Sequence, residues 1–129
     1  MFTESTFHLR RTVKGAAISL PFEKIARSIL GPRYELSLTI CGDKLARKMN
    51  AEYRKKTYSP NVLSFPYGKS EGEIFLNVRK SARESKQFGI SERERLAFLY
   101  VHACLHLKGF DHGEKMERLE KEHMKKFGF

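Results

Sequence analysis

Residues 91–112 read SERERLAFLYVHACLHLKGFDH, and this stretch decides how the chain is organised. Ser91-Glu92-Arg93-Glu94 is a capping-box pattern, which opens a helix. From Leu96 to Leu107 only two histidines and one tyrosine hydroxyl interrupt an apolar run. A helix apolar on almost every side is buried, because no face of it suits water. Gly109 supplies a residue at which that helix can stop and turn.

His102 and His106 are spaced i, i+4 and share one face of the helix. The turn at Gly109 can carry His112 back toward the same point. Burying two imidazoles without partners is costly, so they need hydrogen bonds or a metal. Two core histidines satisfied by backbone or carboxylates would be the plainer reading. Three histidines within eleven residues favour the metal, since three imidazoles plus an open position form a catalytic zinc site. Cys104 lies two residues from each helical histidine and points away from their face. The pattern HxxxHxxGxxH shares its ligand spacing with metzincin proteases, whose pattern begins His-Glu and uses that glutamate as general base. Here the position is Ala103, which argues against a peptidase.

The chain has 129 residues, enough for one domain with one core. No apolar stretch approaches the roughly 18 residues that span a bilayer, so no membrane partner is expected. The polar N-terminus lacks the apolar segment of a secretory signal. Cys41 and Cys104 form no spacing motif and read as buried, reduced thiols of a cytoplasmic protein. The formal net charge is +10, with twelve basic and five acidic residues in 1–60. Such an excess suits a solvated surface or a polyanion; beside a metal site it favours a phosphodiester substrate.

Outward from the histidine helix, the pattern predicts strands over 5–13, 35–41, 62–67 and 73–78. Helices are predicted over 21–31, 43–54, 79–87 and 113–127. Leu36, Leu38 and Ile40 alternate as strand residues do. Asp43 is expected to cap the second helix, with Leu45, Met49 and Tyr53 on its inner face. Met116, Leu119, Met124 and Phe127 are expected inward on the last helix. VLSFPY and EIFLNV, separated by the turn YGKSEG, are expected to pair antiparallel. The order βαβαββααα predicts an α+β domain: a small mixed four-stranded sheet packed with about five helices.

Two segments resemble the YbeY-type bacterial endoribonucleases, also called ribosomal RNA maturation factors. His102 to His112 is similar to that family's H-G-x-L-H-L-x-G-Y-D-H, with Ala103 for glycine and Phe110 for tyrosine. Tyr53 to Pro66 is similar to Y-R-x-x-x-x-x-T-[DN]-V-L-S-F-P, with Pro60 where the family usually has threonine. The resemblance runs from about Leu36 to the last helix. It implies a mononuclear zinc endoribonuclease, specific for single strands, that matures the 3′ end of small-subunit ribosomal RNA and serves ribosome quality control. Its implied partners are RNA, the small ribosomal subunit and assembly factors, with no DNA.

The resemblance also implies that Arg54 is functionally required. Its guanidinium can grip a phosphate through two parallel hydrogen bonds; the plainer reading is a charged residue at a helix end. Asp111 is expected to bond the backbone of its turn or to orient a ligand imidazole, ahead of the third reading as a proton acceptor. Lys55 and Lys56 would add nonspecific phosphate attraction. His8 and His123 stand alone and read as ordinary surface or sheet residues. Imidazoles suit nickel as well as zinc. The competing class is a noncatalytic assembly factor with a structural zinc, which would need a fourth protein ligand; a metallopeptidase-like hydrolase is the third reading.

Overall fold

The computed structural model describes residues 6–15 and 18–129. Its elements run β1 (Phe7–Arg11), α1 (Phe22–Leu30), β2 (Glu35–Cys41), α2 (Asp43–Arg54) and β3 (Val62–Pro66). They continue with β4 (Glu71–Asn77), α3 (Val78–Phe88), α4 (Glu92–Lys108) and α5 (Glu114–Lys126). The order is the one expected, in a single α+β domain with a four-stranded mixed sheet. Residue 5, where the first strand was expected to begin, lies outside the described residues.

The strands lie in the order β1-β2-β4-β3. β1, β2 and β4 are parallel, and β3 runs antiparallel to β4 with Leu63 opposite Phe75. β2 and β4 are therefore central and covered on both faces. Leu36, Leu38 and Ile40 are buried as their alternation predicts, but so are Thr39 and Cys41 on the other face. α2 covers that second face: Leu45, Ala46 and Met49 pack with Cys41, Leu63 and Phe75.

α4 lies at the centre of the other layer and touches α1, α3, α5, β3 and β4. That placement explains its all-round apolarity: Leu96, Ala97, Leu99, Tyr100, Val101, Ala103, Cys104 and Leu105 are all buried. Tyr100 satisfies its hydroxyl by donating to the Phe22 carbonyl at 2.8 Å. β4 passes so close under the end of α4 that a Cβ on Gly72 would strike the Tyr34 hydroxyl and press on Leu107. This crowding explains a glycine inside a strand. Gly72 was expected in the turn; pairing with β2 and β3 instead extends β4 back to Glu71.

Two expectations on α2 are corrected. Asp43 is the first helical residue, the N-cap is Gly42, and no side chain caps this helix. The Asp43 carboxylate is drawn away by better partners. It accepts from both Arg83 guanidinium nitrogens at 2.8 and 2.9 Å, from Asn77 at 2.9 Å and from Ser59 at 3.1 Å. Tyr53 is exposed rather than inward; Ala46 and Asn50 are the residues α2 buries. An amphipathic tyrosine in the last turn can lie across the rim of a core with its hydroxyl in water.

The Arg83 and Asn77 hydrogen bonds hold the Asp43 carboxyl well below the usual carboxylate range. A carboxylate whose folded pKa is depressed stabilises the fold above its unfolded value, about 3.9. That contribution disappears as pH falls through the folded value. Asp43→Ala is therefore expected to lower stability at pH 7 by about 1–2 kcal/mol, after discounting for a partly exposed ion pair. The loss should shrink progressively as pH falls below about 4 in denaturant titrations. A loss unchanged between pH 7 and pH 2 would mean that packing, not charge, is at stake.

Candidate metal centre

The end of α4 brings the three histidines together. Gly109 closes the helix at φ 110°, a left-handed conformation that glycine adopts without strain. Its N–H bonds the His106 carbonyl at 3.0 Å, and the Phe110 N–H reaches back to Leu105 at 3.0 Å. This is a Schellman-type stop, and Phe110 packs on the core just beyond it. The chain then doubles back, and His112 faces the helical pair. Ring centroids are 4.5 Å apart for His102 and His106, 5.2 Å for His102 and His112, and 5.1 Å for His106 and His112.

One ligand nitrogen from each ring falls within 4.8 Å of the other two. Nε2 of His102 and Nε2 of His106 stand 3.0 Å apart. Nδ1 of His102 donates to Glu120 Oε2 at 2.7 Å, which fixes the tautomer and leaves Nε2 with its lone pair. Burial, and then the proximity of His102 and His112, push the His106 pKa down, so its ring favours the neutral form. Two imidazole nitrogens facing each other with a third nearby suit a shared cation. The donor set therefore fits a divalent metal that accepts imidazole. Among the described residues only these three ligands form such a group, and neither cysteine joins it. Cys41 and Cys104 are free and buried, and burial pushes their thiols up to about 11 and about 12.

The histidines sit in an open cleft of about 750 Å³ between β3 and the α4–α5 pair. Val62, Ser64 and Pro66 line one wall, and Ala103, Met116, Glu117 and Glu120 lie toward the other. Arg54 also lines the cleft. Its guanidinium donates to the Ser64 carbonyl at 3.5 Å and lies 5.8 Å from the Phe65 ring centre, so it reaches over the edge of β3. Lys55 and Lys56 follow it, exposed and outside the cleft lining; Lys55 holds the left-handed position that ends α2. Asp111 is exposed in the turn, and its negative charge tends to raise the His106 pKa. Among the described residues it makes no side-chain hydrogen bond to a ring. His8 is an exposed β1 residue 4.0 Å from Glu35, and His123 is half-buried on α5.

Glu120 was not foreseen. It lies in EKMERLEKEHMKK, a segment so charged that one more glutamate reads as solvated surface. Its spacing from Met116, i+4 on the buried face, was the available signal. Two further cleft residues, Arg95 and Asn61, were also not foreseen; both bond Glu84. Arg95 stacks 5.5 Å from Phe98, and Phe98 in turn stacks on His102 at 6.1 Å. Loss of a carboxylate that orients a ligand imidazole typically weakens metal binding about 10–100-fold. Glu120→Ala should show that loss in a chelator-competition titration. Unchanged affinity would mean that Phe98 alone orients the ring.

Fold and site together define a class: a small α+β protein presenting three histidines, able to hold one metal ion, at the floor of an open cleft. Within that class the chain belongs to the YbeY endoribonuclease family. The family model described as endoribonuclease YbeY matches residues 4–128. The endoribonuclease YbeY of Polynucleobacter asymbioticus is 37% identical over 131 residues, covering 88% of this chain and 84% of that protein. That of Geobacter sulfurreducens is 36% identical over 119 residues, covering 77% and 79%. A Thermotoga maritima protein solved in solution shares the fold with a TM-score of 0.70, over 94% of this chain and 88% of that one, at 18% identity.

Proposed function

We propose that residues 1–129 form a single metal-dependent endoribonuclease domain that cuts single-stranded RNA. Its setting would be the cytoplasm, in ribosomal RNA processing at the 3′ end of the small-subunit RNA and in ribosome quality control. The observation that carries the reading is the convergence of His102, His106 and His112 in a cleft shared with Arg54. Relatives that match over most of their length are endoribonucleases by name. The ribosomal role and its partners, the small subunit and its assembly factors, rest on family membership. Among the described residues no helix is long and apolar enough to cross a membrane.

His102, His106 and His112 would hold one zinc ion, or nickel. When bound, such a metal supplies Lewis acidity toward a phosphoryl oxygen and acidifies water. Arg54 would grip the scissile phosphate through its two-nitrogen fork as charge builds on the oxygens. The attacking group, a water or the RNA 2′-hydroxyl, must lose a proton. Ala103 occupies the position from which a metzincin supplies its base. Glu117 lines the same cleft, and among the described residues its carboxylate makes no hydrogen bond. We assign the proton to Glu117.

End-labelled single-stranded RNA incubated with metal-loaded protein tests the reading. Internal fragments are expected, and a 2′,3′-cyclic phosphate end would identify the 2′-hydroxyl as the attacking group. Intact RNA, or digestion only from an end, would refute it. RNA affinity should also fall steeply between about 50 and 200 mM salt, because phosphate contacts release counterions. Salt-independent binding would mean the basic excess does not face RNA.

A further inference from the structure

We infer that Tyr53 and Tyr67 form a stacking platform for unpaired bases, on the far side of strand β3 from the metal centre. The inference deepens the endoribonuclease reading and rests on it. β3 is an edge strand, and its alternation sends Val62, Ser64 and Pro66 to the cleft. Leu63 and Phe65 go to the opposite face, under α2. Tyr53, from the last turn of α2, packs on Phe65 with ring centres 5.5 Å apart, and Phe65 is backed by Phe75 at 6.0 Å. Tyr67 follows Phe65 on the same side. Its hydroxyl donates to Glu73 at 2.7 Å, which anchors the ring. That bond, then burial and the nearby charge of Glu73, push the Tyr67 phenol up to about 12.

Both rings are nevertheless mostly in water: Tyr53 is 64% exposed and Tyr67 59%. Tyr53 is backed by Phe65, Tyr67 is anchored by its hydroxyl, and both are open to water, which suits a stacking surface. Arg54 joins this rim to the cleft, since it lies by the Phe65 ring and also lines the cavity. Lys55, Lys56 and Lys69 are exposed next to the two tyrosines in sequence. Exposed aromatic rings interleaved with cations suit a single strand of nucleic acid: the cations meet phosphates and the rings meet bases. A duplex keeps its bases stacked on each other and offers the rings nothing. A strand with its phosphate at Arg54 would cross the edge of β3 and lay the next bases on Tyr53 and Tyr67.

The test is the affinity of intact protein for a fluorescein-labelled single-stranded oligoribonucleotide, by anisotropy, with chelator present to prevent cleavage. Stacking on one ring is worth about 1–3 kcal/mol, roughly 5- to 150-fold. Tyr53→Leu and Tyr67→Leu should each weaken binding by about tenfold, while Tyr53→Phe keeps the wild-type affinity. A 2-aminopurine in the strand should be quenched by wild type and not by the leucine variants. Melting curves would establish that each variant is folded. Leucine variants that bind and quench as wild type does would overturn the platform and leave the nuclease reading intact. Loss of binding in Tyr53→Phe equal to that in Tyr53→Leu would overturn it too. Wild-type protein with no affinity for single-stranded RNA would bring down both.

Discussion

His106→Ala is expected to remove stoichiometric metal binding and RNA cleavage together. His106 is the residue whose Nε2 faces that of His102 at 3.0 Å, and its ring also approaches His112. Without it the remaining pair cannot close around an ion. The affinity loss should exceed the roughly 10–100-fold that follows from disturbing an outer partner such as Glu120. The fold should survive, because the ring is only partly buried. A stability change near the ordinary value of about 1 kcal/mol is expected in the metal-free state. Metal analysis, cleavage rate and melting of the same preparation check this. Retention of one tightly bound ion by His106→Ala would refute the three-histidine centre.

Arg54→Ala should reduce the cleavage rate by a factor on the order of 10² to 10³, as the loss of one transition-state donor does. The basis is its place in the cleft, where only the contact with the Phe65 ring at 5.8 Å and a long hydrogen bond, 3.5 Å to Ser64, hold it. Such a bond contributes little to the fold, so stability should shift by about 0.5 kcal/mol or less. Metal content should be unchanged. Arg54→Lys should restore little activity, because an ammonium cannot reproduce a two-nitrogen fork. Normal cleavage, or much earlier melting, would make Arg54 a structural residue.

The parts of this molecule readable in its sequence are those governed by local rules. The apolar run of α4, its Gly109 stop and the i, i+4 histidines require only helix geometry, and they place the three-histidine cluster. The β3–β4 pairing follows from two short strands and a turn. What was not readable depends on residues distant in the chain. The parallel insertion of β4 beside β2 pairs residues more than thirty positions apart, and it packs Gly72 under Tyr34 and Leu107. Asp43 has the composition of a helix cap, yet Arg83, forty residues away, claims its carboxylate. Glu120 is hidden in a charged helix and shows its role only when α5 folds onto α4. Tyr53 fits an apolar stripe by spacing, and only the packed fold reveals that its ring is left in water.

The central claim is that His102, His106 and His112 hold one metal ion that the RNA-cutting activity requires. It is tested most directly by stripping the protein with chelator and titrating a divalent metal back while following internal cleavage of single-stranded RNA. Cleavage should be absent from the stripped protein and should rise linearly to a plateau at one ion per chain, with zinc or nickel. Full cleavage by the stripped protein, or a metal-saturated protein that leaves the RNA intact, would contradict it.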